Sequence, residues 1–165
     1  MKTFTVISSP LGDLTAVATD GTLSALYMTD AVHRPSDASF GEATEAGFAL
    51  LREEITRYFA GELRTFTVET AAAGTPFQLR VWAALARIPY GQTRSYAEIA
   101  HDLGDPRTVR AVGAANGRNP LSIVVPCHRV VGADGSLVGF AGGIERKRAL
   151  LDLENPAHGR SGVLF

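Results

Sequence analysis

The sequence predicts an α/β N-terminal domain, a small antiparallel sheet with one helix, packed on a mostly helical C-terminal domain that carries a helix-turn-helix. Three observations lead there. The first thirty residues alternate short β-rich runs with turn signals, residues 95–115 hold two short capped helices around a glycine, and charge divides sharply near residue 74. Residues 1–74 hold 5 Lys and Arg against 10 Asp and Glu, while residues 75–165 hold 11 against 7, so the net charge of −1 hides an acidic half and a basic half. Domains are therefore expected at 1–74, a scaffold, and at 75–165.

The strand runs are Thr3–Ser8, Leu14–Thr19 and Leu23–Met28, separated by Pro10-Leu11-Gly12-Asp13 and Asp20-Gly21, a pattern that reads as an antiparallel meander. Residues 30–42 are polar and rich in Asp, Ser and Pro, and read as a loop. Phe48, Leu51, Ile55, Tyr58 and Phe59 then recur at helical spacing up to Gly61, a C-terminal cap. Phe66-Thr67-Val68 reads as one more strand, and Ala71-Ala72-Ala73-Gly74 as a linker.

Thr75-Pro76 opens the second half as N-cap and first helical residue, with Phe77, Val81, Trp82, Leu85 and Ile88 on one face before Pro89-Tyr90-Gly91. Ser95 and Glu98 have capping-box spacing for a helix over 96–103 that stops at Gly104. Asp105-Pro106 starts another, reaching about Ala115, and the pair makes a helix-turn-helix over 95–115. Residues 116–120 read as a loop. The apolar segment 123–131 is interrupted by Pro126, Cys127 and His128, and proline there rules out an ordinary central strand. Five glycines within 132–143 give a tightly turned or mobile stretch, Ile144–Leu153 a last helix with Leu150 and Leu151 inward, and the tail from Asn155 weak structure.

A chain that is 45% hydrophobic and 20% charged is built to fold, which excludes disorder and fibres. No run approaches the roughly 18 apolar residues of a membrane span, and the N-terminus has no long apolar signal core. One cysteine, Cys127, allows no intrachain disulfide and no thiolate-rich zinc cluster. A soluble, cytoplasmic protein with no membrane partner is expected.

Cys127 beside His128 is the sharpest chemical feature. A thiolate is a strong nucleophile, but an ordinary thiol is mostly protonated at neutral pH and needs a base. In an extended segment the two side chains would face opposite ways, so His128 need not touch Cys127 directly and could act through an intervening water. The bland alternative is that Cys127 is a small buried hydrophobe. The helix-turn-helix likewise reads either as a DNA module or as a helical hairpin. Its second helix offers Thr108, Ala111, Gly113 and Ala114, all small, with Arg107 and Arg110 as its basic side chains. That face suits a narrow groove and phosphates better than the reading of base edges. A nucleophile after such a module points to chemistry on a flipped base, with Arg110 either filling the vacated stack or touching phosphate, and Tyr96 either offering a phenol or half-buried.

Pro126-Cys127-His128-Arg129-Val130, with Arg110-Ala111-Val112-Gly113 and Asn119-Pro120 before it and Gly142-Gly143 after it, resembles the O6-alkylguanine-DNA alkyltransferases, also called methylated-DNA-protein-cysteine methyltransferases. The match spans 75–154, while 1–74 fit that family's variable N-terminal domain in length and element order. The resemblance implies that Cys127 takes the alkyl group from O6 of a damaged guanine in duplex DNA, once per molecule, needing no cofactor. It implies a relay from His128 and Glu154 to the thiol, Asn119 bracing the active-site segment 126–130, Tyr96 donating to the guanine, and Arg110 replacing the extruded nucleotide. Arg107, Thr108, Ala111, Gly113 and Ala114 would line the DNA. Val130, Phe140 and Ala141 would line the substrate pocket.

Phe140 stands where an aromatic, often tyrosine, occurs in the family, and Ala141 where some relatives carry serine, so a hydroxyl contact is lost at each. The zinc of some members needs cysteines that 1–74 lack, and no metal is expected. Partners follow: double-stranded DNA bearing O6-alkylguanine, with O4-alkylthymine a second candidate, met by a monomer able to load cooperatively. The rivals are a non-catalytic lesion binder, against which Cys127 itself argues, a helix-turn-helix regulator, and a thiol hydrolase.

Overall fold

In the computed structural model, which describes residues 1–156, the first thirty residues form an antiparallel meander. Its strands are β1 (Lys2–Ile7), β2 (Leu14–Thr19) and β3 (Thr22–Met28). Asp20 and Gly21 form the two-residue turn between β2 and β3, with φ of 50° and 86°. Positive φ at both positions is what a right-twisted hairpin requires.

The polar stretch 30–42 is not wholly a loop. Ser36 caps a 3-10 turn over Asp37–Phe40, and Phe40 is buried against Tyr27, with ring centroids 5.7 Å apart, and against Phe4. One phenylalanine in a polar run has no periodicity to betray it. Just beyond, Glu42–Ala43 (β4) pairs parallel with β1, giving a four-stranded sheet in the order β3-β2-β1-β4.

Helix α1 (Ala49–Phe59) buries Leu51, Ile55 and Tyr58. It ends as its sequence predicts: Gly61 has φ 77°, its N–H reaches the Tyr58 carbonyl, and Glu62 N–H reaches Arg57 O. That is a Schellman stop. Buried Glu54 on the same helix corrects the strand expected at Phe66-Thr67-Val68. Its carboxylate accepts the Thr67 and Val68 N–H groups at 3.0 Å, so these donors serve a side chain instead of a ladder. The free edge of β3 is covered by single parallel bridges from Thr70 to Leu23 and from Leu121 to Leu26.

Residues 120–124 thus group with the first unit, Met1–Ala73, while the second comprises Gly74–Asn119 and the described residues from Val125. The expected division assigned 120–124 to the second half, where neighbours in sequence lie. β3 recruits them because Leu26 donates to Pro120 O and accepts from Ser122 N–H. Within this stretch Ile123 has φ 73° and is bracketed by a Val124 N–H to Ser122 O bond of 2.8 Å. A β-branched residue held in that γ-turn carries strain on the order of 1–3 kcal/mol.

In the second unit, α2 (Pro76–Ala86) starts with a Thr75/Gln78 capping box and buries Val81, Trp82 and Leu85. Ile88, expected on its face, is buried just beyond its end. Arg94–Ser95 (β5) leads into α3 (Tyr96–Asp102), which has the predicted Ser95/Glu98 capping box. The next helix differs from the expectation. Asp105 accepts the Arg107 N–H and holds Pro106–Thr108 in a 3-10 turn, so α4 begins at Val109 and runs to Gly117, taking in two residues expected in the loop. Trp82 Nε1 donates to Ala115 O at 2.8 Å and ties α2 to α4. Val130–Val131 (β6) pairs parallel with β5, and α5 (Ile144–Glu154) closes the unit with Leu150 and Leu151 buried. Asn155 N–H still bonds Leu151 O, and the tail beyond Pro156 lies outside the described residues. Among the described residues no helix is long and apolar enough to cross a membrane.

Candidate active site

Cys127 and His128 do not lie in extended chain. Pro126 has φ −81° and ψ 65°, and Cys127 N–H bonds Val125 O at 2.8 Å, the dimensions of an inverse γ-turn. Proline's fixed φ favours that turn. Cys127–Arg129 then form one 3-10 turn before β6, so the side chains fan around a tight corner and do not alternate across a strand. All three are buried.

His128 Nε2 lies 2.8 Å from Glu154 Oε2. Arg129 grips the same carboxylate with Nε at 2.7 Å and Nη2 at 2.9 Å, while its Nη1 donates to Ile88 O and its guanidinium lies over the Tyr90 ring. Burial works against the Glu154 charge, but bonds from His128 and Arg129 outweigh it and hold the carboxyl at about 2. An ionised carboxylate only accepts hydrogen bonds, so Nε2 carries the imidazole proton and Nδ1 presents a lone pair. Nδ1 is buried without a protein partner among the described residues. Burial pushes the imidazole below its usual range; Glu154 opposes this, and the charges of Arg129 and Lys147 add to it. His128 is therefore neutral at pH 7, in the tautomer whose Nδ1 can take a proton.

The Cys127 thiol is pushed up by burial, against a hydrogen bond from Asn119 and the charge of Lys147, and so requires a base. Asn119, the residue expected to brace 126–130, also donates to the carbonyl of Val125 just before that segment, at 2.9 Å. The Tyr96 hydroxyl, pushed further above the ordinary phenol range by burial and then by the Cys127 charge, donates to Val138 O at 2.9 Å and more weakly to Gly139 O at 3.4 Å. Phe140 and Ala141 follow, both half-buried, whereas Val130 is fully buried in β6.

On α4 the residues expected to meet DNA divide by exposure. Arg110, Ala111 and Ala114 are exposed, with Arg107 just before them, while Thr108 and Gly113 are half-buried. Gly113 lies over Tyr96, where a Cβ would sit 3.9 Å from its ring. Arg107 is not a free cation: Asp105 accepts its Nε at 3.0 Å and Nη2 at 3.3 Å. Arg118, at the end of α4, is exposed and adds a cation that sequence reasoning passed over.

Two further residues escaped it. Arg129 stands in the sequence only as a member of the Pro126–Val130 motif, yet it fixes Glu154. Lys147 stands in the run Arg146-Lys147-Arg148, which looks solvated, but it is fully buried. The signal was available: 147, 150, 151 and 154 share one helical face with Leu150, Leu151 and Glu154.

The sequence profile described as 6-O-methylguanine DNA methyltransferase, DNA binding domain, matches residues 76–156, and that family's ribonuclease-like domain matches residues 2–72. A methylated-DNA–protein-cysteine methyltransferase of Mycolicibacterium paratuberculosis is 48% identical over 165 residues, covering all of this chain and 99% of the relative. The crystal structure of a Mycobacterium tuberculosis O6-methylguanine methyltransferase superposes with a TM-score of 0.87 at 49% identity, over 94% of each chain. A second M. tuberculosis structure, of OGT in complex with DNA, gives 0.86 at 49% identity over 92% of each. With both family domains matched in order and the Pro126-Cys127-His128-Arg129 corner in place, this chain belongs to the 6-O-methylguanine DNA methyltransferase family.

Proposed function

We propose that this chain repairs alkylated DNA by moving the alkyl group from O6 of guanine in a duplex to Cys127, once per molecule. The observation that carries the reading is the fixed tautomer at His128: Glu154 holds the Nε2 proton, so the buried Nδ1 lone pair is the base available to the thiol. The thiol proton passes to Nδ1 through a water, and Sγ attacks the alkyl carbon. An S–C bond forms as the C–O6 bond breaks, and the departing guanine takes a proton at the ring from the Tyr96 hydroxyl. The product is a thioether, which water does not cleave, so the molecule is spent.

Duplex DNA is the partner, a reading supported by the M. tuberculosis relative crystallised with DNA. The exposed Arg110, Ala111 and Ala114 face would enter the minor groove, with Arg110 filling the place of the flipped nucleotide. Thr108 and Gly113 would set how closely α4 approaches, and Arg107 and Arg118 would meet phosphates. Val130, Phe140 and Ala141 would form the wall around the base, with O4-alkylthymine a second substrate. The first unit, Met1–Ala73 with the 120–124 stretch, is the scaffold, and the chain acts as a monomer that can load cooperatively.

Incubation with a duplex carrying one labelled O6-methylguanine tests this. Label should move to Cys127, the intact mass should rise by one methyl and saturate at one per chain, and Cys127→Ala should take none. Continued turnover of an ester would instead favour a thiol hydrolase, and preference for one unmodified DNA sequence a regulator.

A further inference from the structure

Glu154 is the last residue of α5, where a helix has no further N–H groups to meet its final carbonyls. The turn after α2 supplies partners instead. The Tyr90 hydroxyl donates to Leu153 O across 3.5 Å, and Asn155 Nδ2 donates to Gly91 O at 3.3 Å, so the residues on either side of Glu154 are tied to Tyr90 and Gly91. Packing adds little to that tie, because a cavity of about 70 Å³ is lined by Gly91, Thr93, Leu151, Glu154 and Asn155. The stronger link runs through Arg129. Its Nη1 donates to Ile88 O at 2.7 Å, and its guanidinium carbon lies 5.7 Å from the centre of the Tyr90 ring. A hydroxyl contact of 3.5 Å is weak, whereas a guanidinium over a ring face away from bulk water is not.

We propose that Tyr90 is a positioning residue of the alkyl transfer: its ring seats the Arg129 guanidinium, which in turn fixes how the Glu154 carboxylate meets His128. Arg129 Nη2 and His128 Nε2 share Oε2, while Arg129 Nε takes Oε1. The guanidinium is a rigid plane, so a shift of that plane carries the carboxylate with it and lengthens the His128 bond that keeps the proton on Nε2. The Ile88 carbonyl, one acceptor at one Nη, fixes a point and not a plane. The Tyr90 ring against the guanidinium opposes the shift. The effect on transfer rests on the repair reading above; the effect on the His128 tautomer does not.

The test compares native chain, Tyr90→Phe and Tyr90→Leu, with Tyr90→Leu repeated in the Glu154→Gln background. Nitrogen NMR of the imidazoles, with the His128 signals identified by their loss in His128→Ala, reads the tautomer. Native chain and Tyr90→Phe should both hold the His128 proton on Nε2 and should transfer methyl from saturating O6-methylguanine duplex within about twofold of each other. Tyr90→Leu should mix in the Nδ1-protonated form and slow transfer about fivefold, with DNA affinity unchanged. In Glu154→Gln, where no carboxylate is left to place, the same substitution should cost less than about twofold. If Tyr90→Leu fails to fold, phenylalanines of increasing fluorine content in place of Tyr90 decide. They keep the shape while the ring face loses its negative charge, so transfer should fall with each fluorine. A flat fluorine series overturns the proposal, and so does a Tyr90→Leu that melts lower yet keeps the Nε2 tautomer and the native rate per folded molecule. A native chain that takes no methyl from DNA would sink the repair reading, while the His128 nitrogens still report what Tyr90 does.

Discussion

Glu154→Gln isolates the relay with the smallest change of shape. The carboxylate accepts from Arg129 Nε on one oxygen and from His128 Nε2 and Arg129 Nη2 on the other. An amide offers one acceptor oxygen and one NH2 donor, so either orientation sets N–H against an Arg129 N–H. In one orientation the NH2 also faces His128 Nε2, which favours the tautomer protonated at Nδ1 and removes the base. In the other, the imidazolium forms without a counter-charge. Both weaken proton transfer, and a positioned general base contributes on the order of 10²–10⁴ in rate, so single-turnover methyl transfer should slow by about that factor.

Stability should fall as well. The Glu154 carboxyl lies at about 2 against 4.5 when unperturbed, a gap worth about 3 kcal/mol. Loss of one partner from a buried pair costs a similar ~3–5 kcal/mol. For a chain of this size a 3 kcal/mol loss lowers Tm by roughly 6–12 °C. Because the folded carboxyl lies below the unfolded one, this contribution is present above about pH 4.5 and is lost as pH falls toward 2. Glu154→Gln should accordingly lack the native acid-destabilisation step in that window. A folded Glu154→Gln that transfers methyl at the native rate would refute the relay.

Arg110→Ala should slow transfer from duplex DNA at least about tenfold while leaving Tm within about 1 °C, since the residue is exposed on α4; a lowered Tm with unchanged transfer would mean it is structural. Glu54→Ala should cost about 3 kcal/mol, read by urea denaturation, because the Thr67 and Val68 N–H groups lose their buried acceptor, while methyl uptake per folded molecule stays native. His128→Ala should abolish the pH dependence that the imidazole gives to transfer, leaving a slow reaction that rises only as Cys127 itself ionises.

What could be seen beforehand follows from how local each determinant is. The meander, the Gly61 stop, the Thr75 N-cap and the Ser95/Glu98 capping box rest on residues within a few positions of one another, and the structure has them where the spacing put them. The Phe66–Val68 strand failed because its donors are taken by Glu54, 13 positions earlier. β4 was missed because two residues pairing with β1 leave no alternation to read. At the site, Cys127 and His128 stood out by type, but the resemblance supplied Glu154, and only the geometry revealed that Arg129 shares its carboxylate. The corner at Pro126 was visible as an irregularity. That it is a γ-turn feeding a 3-10 turn depends on backbone bonds that no side-chain pattern encodes.

Leu121's bridge to Leu26 has a consequence for synthesis. During translation the N-terminal sheet emerges first, yet the edge of β3 gains its last partner only after residue 122 has been made. Until then Leu26 presents an unpaired N–H and C=O, an open strand edge of the kind that recruits foreign strands. The nascent protein thus carries that open edge while α2 to α4 are made, and it seals it only once residues 120–122 have left the ribosome and can pair with Leu26. A chain stalled or cut within 74–119 would leave a sheet that had formed its hairpins but never closed its border.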